Sequence, residues 1–287
     1  MTLLLSNSLL AGALIGCYYA LLAVGLSLIL GVVRVFNMAH GEFLVIGAYL
    51  AYGLWYGFGI DPLFAILPAA ALLFVLGLVV QSGLTNLGEP RRLNGLVVTL
   101  GLSMLLQNLL LQLWTGDYQV ITADYLQQAI SWGGITIGVE RLIAAAISVT
   151  IILALHLFIG WTYPGKAMRA TAQDREAAEM MGIDVERIDL LTFGLGAALA
   201  GAAGPLFVAL YYVQPAAGRE PLIIALVLAI WAGVGQTASL LVGGILLGVI
   251  EALAVVLLGA QWRELLFFLV LLGSLFLRPQ GLRAGSN

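Results

Sequence analysis

Three groups of residues carry types and spacings with chemical potential in a chain that is otherwise apolar. Gly160-Trp-Thr-Tyr-Pro-Gly165-Lys166 has the spacing of a glycine-rich loop that cradles phosphates. The next residue is Ala167, which has no hydroxyl for magnesium, and the stretch leaves an apolar helix rather than a strand. Lys166 is the only lysine, so no such loop exists elsewhere in the chain. His40 and Glu42 are two residues apart and do not share a helical face, which argues against a metal pair. The other histidine, His156, lies inside an apolar run and reads as a packed or hydrogen-bonded helix residue. Cys17 is the only cysteine and reads as a small apolar side chain; it leaves no intrachain disulfide and no Cys-based metal site. No nucleophile and base with a supporting third group are recognisable, so covalent chemistry on a substrate is not expected.

The charge itself is concentrated. Lys166–Asp189 holds ten of the 27 charged residues, four basic and six acidic. Pro164 and Gly165 stop the preceding apolar helix, a polar helix is predicted from about Lys166 to Met181, and Gly182 supplies the left-handed end. Arg175 and Glu179, four apart, pair along its surface, and Asp184 caps the helix that follows. Ala167, Ala170, Ala177, Ala178, Met180 and Met181 give the segment small and soft contact surface, suited to a groove on another protein. A solvated loop without a partner is the alternative. A second polar interruption, Arg34-Val-Phe-Asn-Met-Ala-His-Gly-Glu42, joins the first pair of apolar runs. Asn37, His40 and Glu42 either cap the following helix or belong to a broken helix lining a solute path, since ionisable groups at membrane depth are costly and functional by default.

These groups must be positioned by membrane-spanning helices. Hydrophobic residues are 62% and charged residues 9%, with a mean hydropathy of +1.06, whereas soluble domains carry roughly 25% charged residues. The apolar runs are long and lack the two-residue alternation of barrel strands, so the fold is all-α, and the 35 glycines suit close helix packing. Apolar runs near 9–33, 42–58, 63–82, 95–114, 141–161, 189–212, 221–236, 239–259 and 264–278 predict eight or nine transmembrane helices, the doubt resting on the short run 221–236. The first run is too long for a cleaved signal and reads as a true span. The chain therefore reads as one polytopic domain over 1–287, with a polar loop at about 164–189. Arg91, Arg92, Lys166, Arg169, Arg175, Arg187, Arg278 and Arg283 place loops 82–94 and 164–188 and the C-terminal tail in the cytoplasm. Thr115–Glu140 has no Lys or Arg and lies outside, which with nine spans puts the N-terminus outside. A net charge of −3 with no basic stripe gives no footprint for nucleic acid.

Glu176-Ala177-Ala178 followed by Gly182 resembles the EAA motif of ABC importer permeases, the cytoplasmic coupling helix that docks on the ATPase. Phe36-Asn-Met-Ala-His-Gly-Glu-Phe43 with Ile46-Gly-Ala-Tyr49, Thr99-Leu-Gly-Leu-Ser103, Met168–Ala178 with Met181-Gly-Ile-Asp184, and Arg278-Pro-Gln-Gly-Leu282 resemble the permeases of branched-chain amino acid uptake systems. The landmarks occur in that family's order across nearly the whole chain.

The resemblance implies a permease subunit in a bacterial-type cytoplasmic (inner) membrane. Its partners would be a second related permease, two ABC ATPase subunits and an extracytoplasmic solute-binding protein, with membrane lipid around it. No cofactor is implied in this chain; ATP and magnesium would sit in the ATPases. Arg169, Asp174, Arg175, Glu176, Ala177, Ala178 and Gly182 would form the ATPase-coupling surface. Asn37, His40, Gly41 and Glu42 would line the translocation pathway with Trp231, which stands where the family usually has a glycine pair and would reshape the path. The Asn-Met-Ala-His-Gly-Glu form is also similar to urea and short-chain amide permeases, while Glu251 agrees with the amino-acid branch. Alternating access would follow as the coupling helix tilts spans 141–161 and 189–212. Small residues in Gly194–Gly204 either slide against a neighbour or simply pack. An ion-coupled secondary transporter, with Glu42 and Glu251 as ion sites, is the alternative from a different class.

Overall fold

The computed structural model describes residues 2–85, 91–232 and 236–277. The tail motif Arg278–Leu282, with Arg283, and the Gly233–Gly235 part of the Trp231 segment lie outside the described residues. Among the described residues the regular structure is helical apart from one small hairpin. In order it forms α1 (Thr2–Leu28) with a π turn (Ile29–Val33), α2 (His40–Phe58), a short 3-10 turn (Pro62–Ala65), α3 (Ile66–Thr85) and α4 (Arg91–Trp114). The hairpin β1 (Ala129–Trp132) and β2 (Ile135–Gly138) follows, then α5 (Val139–Trp161), α6 (Tyr163–Gln173), α7 (Arg175–Met180) and α8 (Val185–Leu210). The chain closes with α9 (Arg219–Ala232), α10 (Thr237–Leu258), a 3-10 turn (Ala260–Trp262) and α11 (Arg263–Leu277).

Among the described residues, six helices are long and apolar enough to cross a membrane, within Leu5–Val33, Pro62–Thr85, Leu93–Trp114, Val139–Trp161, Val185–Leu210 and Thr237–Leu258. The other three expected spans correspond to α2, α9 and α11, helices of 19, 14 and 15 residues. At 1.5 Å per residue α9 is about 21 Å long, short of a hydrocarbon core of about 30 Å. Irregular chain from Tyr211 to Gly218 precedes it.

α1 and α8 run through the middle of the bundle and are mostly buried, whereas α4 leaves most of its apolar face outward, as a lipid-facing helix does. Small residues set the central approaches. Gly12 and Gly16 of α1 lie against the backbone of Gly248 and Gly244 in α10, and Gly25 lies against Gly196 in α8. The Gly194–Gly204 run of α8 meets three helices: Gly196 on Ile29 of α1, Gly201 on Ala69 and Leu73 of α3, and Gly204 on Leu44 and Ala48 of α2. Without a hydrophobic drive between helices in lipid, such close backbone contact is the main source of adhesion.

The hairpin was not foreseen. Ser131 and Thr136 face each other across it with hydroxyls 3.1 Å apart, and Asn7 of α1 accepts from the Thr136 amide. This end of the bundle is called the hairpin end below; the opposite end, with α6 and α7, is the charged end.

Candidate functional site

At the charged end the expected single helix from Lys166 to Met181 is two helices. Trp161 ends α5, and Thr162 caps α6 by accepting from the Gly165 amide at 3.2 Å, with Pro164 inside its first turn. The glycine-rich GxxxxGK stretch is thus an elbow between α5 and α6. Asp174 breaks the segment: its extended backbone ends α6, and its carboxylate accepts from the Ala177 amide at 3.1 Å to start α7. An aspartate that can satisfy free amides with its own side chain competes with helix continuation, which explains the break. Gly182 has φ +83°, as expected of the C-terminal glycine, and Asp184 caps α8 through the Arg187 amide.

The side chains of this segment divide by direction. Arg175 turns inward and forms a two-pronged ion pair with Asp189 at 3.1 and 2.6 Å, while its approach to Glu179 is only 4.0 Å. Burial disfavours the charge on Arg175, but the hydrogen bonds and charge of Asp189 outweigh it and raise its pKa. Ala178 is buried and Ala177 half-buried. Arg169, Asp174, Glu176 and Gly182 are exposed, as are Met180 and Met181, each more than four-fifths accessible. The outward face of α7 is therefore an acidic and methionine-bearing surface on a helix fixed at both ends.

At the middle of the bundle two irregular stretches cross. After the π turn, Arg34 adopts φ +60° and donates to the Ala172 carbonyl of α6. Six residues later the His40 Nε2 lies 3.2 Å from the Leu22 carbonyl of α1. Leu22 is eleven residues before Val33, or about 16 Å up the helix, a distance that six extended residues span. The chain from Arg34 to Ala39 therefore runs back along α1 without helical bonds, and α2 begins well inside the bundle.

Backbone groups of that stretch are covered as membrane depth requires. Asn37 Oδ1 accepts from the Ala39 amide at 3.0 Å, and Thr99 Oγ1 of α4 accepts from the Met38 amide at 3.1 Å. The Thr99 hydroxyl is in turn within donating distance of the Gly95 and Phe36 carbonyls, at 2.7 and 3.1 Å. Asn37 thus covers the turn into α2, the capping role weighed above, although by closing its own turn rather than from the cap position, which is Ala39. His40 bonds α1, and Glu42 is buried, its Oε2 without a hydrogen-bond partner among the described residues.

The second irregular stretch leaves α8 at Tyr211. Val213 exchanges two backbone bonds with Gln119, both 2.9 Å, and the chain then descends to Gly218, where α9 starts. Gly41 and Gly218 meet at the crossing. A Cβ on Gly218 would lie 2.7 Å from the Gly41 carbonyl carbon, and one on Gly41 would fall on the Gly218 carbonyl.

Two cavities flank this crossing along α1 and α9. Towards the hairpin end, a 390 Å³ cavity is walled by Tyr18 and Leu22 of α1, Phe207 of α8, Ile224 of α9 and Phe267 of α11, with Arg219, Glu220 and Arg263 at its polar side. Arg263 is fully engaged: it bonds Glu251, pairs with Glu220 at 2.8 Å and donates to the Tyr19 hydroxyl at 2.8 Å. Towards the charged end, a 960 Å³ cavity is walled by Leu28 and Val32 of α1, Leu226 and Ile230 of α9, and bears Arg34 and Arg169. Between them Ala23, Val24 and Leu26 of α1 and Ala225 of α9 are buried with essentially no accessible surface.

Of the expected pathway residues, Asn37, His40, Gly41 and Glu42 lie off the cavity walls. Asn37 and His40 are buried in the crossing, Gly41 forms it, and Glu42 is buried behind it. Trp231 is half-buried against the core next to Ile230, which does face the larger cavity. Arg219, Glu220, Arg263 and the tyrosine pair Tyr18–Tyr19 were not among the expected site residues. An arginine at the head of an apolar run was the available signal, because intramembrane charge is retained only where it is used.

A bundle of long apolar helices with two irregular chains crossing inside it and a charged helix pair at one end defines an α-helical, multi-pass membrane protein. The chain belongs to the family "Branched-chain amino acid transport system / permease component", whose pattern matches residues 8–275. It is 30% identical to the high-affinity branched-chain amino acid transport system permease protein BraD of Pseudomonas aeruginosa, over 96% of this chain and 94% of that one. It is 28% identical to the corresponding protein LivH of Salmonella typhimurium, over 94% and 92% of the two chains. Among solved structures it is similar to PsaBC from Streptococcus pneumoniae in complex with Fab, at 14% identity and a TM-score of 0.48, covering 96% of this chain and 92% of that one.

Proposed function

We propose that this chain is the membrane-spanning permease subunit of an ATP-driven importer for branched-chain or other neutral amino acids. The observation that carries the reading is the family match over residues 8–275, joined by relatives named for that transport across more than nine-tenths of the chain. In this reading α2, α9 with its irregular lead, and α11 complete nine passages, and the basic loops place the charged end in the cytoplasm. α6 and α7 are the coupling element. Glu176, Met180 and Met181 face a groove on an ATPase subunit, with Arg169, Asp174 and Gly182 at its edge, while Arg175 and Ala178 hold the helix in place. ATP and magnesium belong to two ATPase subunits, a second permease pairs with this one in a bacterial-type inner membrane, and a solute-binding protein delivers cargo to the hairpin end.

Motion at α7 reaches the bundle by two supported routes: the Arg175–Asp189 pair into α8, and the Arg34 bond from the re-entrant chain to α6. The barrier between the cavities is where access alternates. The decisive experiment is uptake of radiolabelled leucine and urea by vesicles containing the purified complex and its binding protein. ATP-dependent leucine uptake is expected. Transport that continues without ATP and collapses with an ion gradient would establish the secondary-transporter alternative, and ATP-dependent uptake of urea alone would establish the amide branch.

A further inference from the structure

We propose that the 390 Å³ cavity towards the hairpin end binds one zwitterionic amino acid with an apolar side chain, its carboxylate on Arg219 and its ammonium group on Glu220 and the tyrosine faces. This rests on the transport reading above and adds to it a place and a recognition chemistry. The volume is within the range of sites for one small ligand, roughly 300–1,000 Å³, and the wall is the usual mixture of apolar surface with a few converging polar groups.

The two arginines of the cavity have different roles. Arg263 is saturated by Glu251, Glu220 and the Tyr19 hydroxyl and serves to fix the polar wall. Arg219 lines the same cavity and, among the described residues, has no ion-pair or hydrogen-bond partner, so its guanidinium is available to a carboxylate. It also stands at the first turn of α9, a helix that begins inside the bundle and directs its positive end at the same place. A second, independent observation is Tyr18 on the cavity wall, a residue 1% exposed whose buried hydroxyl has no hydrogen-bond partner among the described residues. A buried hydroxyl is normally satisfied, and a ligand polar group would complete it. Arg219 and Arg263 balance Glu220 and Glu251 in charge, so a zwitterion enters without leaving net charge in the bundle. Leu22, Phe207, Ile224 and Phe267 then receive the apolar side chain. Tyrosine rings also accept an ammonium group by cation–π attraction.

The test uses the full-length chain with its co-purifying subunits in lipid nanodiscs, without the binding protein, titrated with leucine and followed by saturation-transfer NMR, which registers weak binding. Leucine is expected to bind saturably, and 3-methylbutylamine and 4-methylpentanoate, each lacking one charge, about tenfold or more weakly. Arg219→Gln should weaken leucine binding by about tenfold or more, with partial recovery in Arg219→Lys, while Arg141→Gln on the other side of the hairpin end leaves it unchanged. Arg219 is exposed at the cavity and, among the described residues, unpaired, so its variants keep the fold; elution of the nanodisc complex by size checks this. Absence of saturable leucine binding, or binding by Arg219→Gln equal to that of the unaltered chain, overturns the site. ATP-driven uptake measured in parallel separates the two readings. Uptake unaffected by Arg219→Gln removes the site and leaves the transport role, whereas intact leucine binding without any ATP-driven uptake removes the role and leaves the site.

Discussion

Arg175 grips Asp189 with two hydrogen bonds, one of 2.6 Å, and so fastens the six-residue helix α7 to the first turns of α8. The Asp189 side chain is only 3% exposed. Breaking a buried pair by removing one partner costs about 3 kcal/mol, because the remaining charge keeps its desolvation penalty. Arg175→Met, which retains much of the volume, is therefore expected to lower the thermal unfolding temperature of the solubilised protein. It should also leave ATP hydrolysis less responsive to solute. Unchanged melting in Arg175→Met would show that loop 181–184 alone holds α7.

Glu176 is one residue away and points outward, so its replacement separates docking from folding. Glu176→Lys should insert and melt like the unaltered chain, yet reduce solute-stimulated hydrolysis by the proposed ATPase subunits about tenfold through charge reversal at the proposed docking contact. Equal hydrolysis rates in reconstituted vesicles would take Glu176 off the docking surface.

Two glycines of α2 give opposite expectations from the same chemical change. An alanine methyl at Gly41 meets the Gly218 backbone, so Gly41→Ala is expected to cost about 1–3 kcal/mol by overpacking. Gly53 has nothing within 4 Å of its virtual Cβ. Gly53→Ala should be neutral or stabilise by up to about 1 kcal/mol through helix propensity. Thermal melts of the pair in one detergent give the comparison, and equal effects would contradict the crossing.

Thr99 is fully buried, and its hydroxyl covers the Met38 amide of the re-entrant chain. Thr99→Val keeps the shape and leaves that amide uncovered, at an expected cost of about 1–3 kcal/mol. Hydrogen exchange at Met38 should quicken in the variant while exchange in α10 stays the same.

The sequence announced its helices because a span in lipid is a long apolar run, and among the described residues each of the nine runs holds a helix. Local stops were equally readable: Gly182 and Asp184 act at the positions where their conformational and capping preferences placed them. The break at Asp174 was missed because its neighbours favour helix, and a single aspartate can overrule them only when its side chain finds the Ala177 amide. Arg175 looked like a surface partner of Glu179, since spacing reveals i,i+4 neighbours and says nothing of Asp189, fourteen residues on and in another helix. The crossing was half legible: the polar break at Arg34–Glu42 stood out, but Gly218 did not, because a glycine's value there depends on a backbone brought to it from far along the chain. The Arg263 network was hidden for the same reason, its partners Tyr19, Glu220 and Glu251 lying on three other helices.

The contact between Gly41 and Gly218 is made of main chain on both sides. Neither position can therefore accept a larger residue and be compensated by trimming the other, since glycine is already the smallest choice. Across descendants of this gene the two sites are expected to be inherited as a fixed couple.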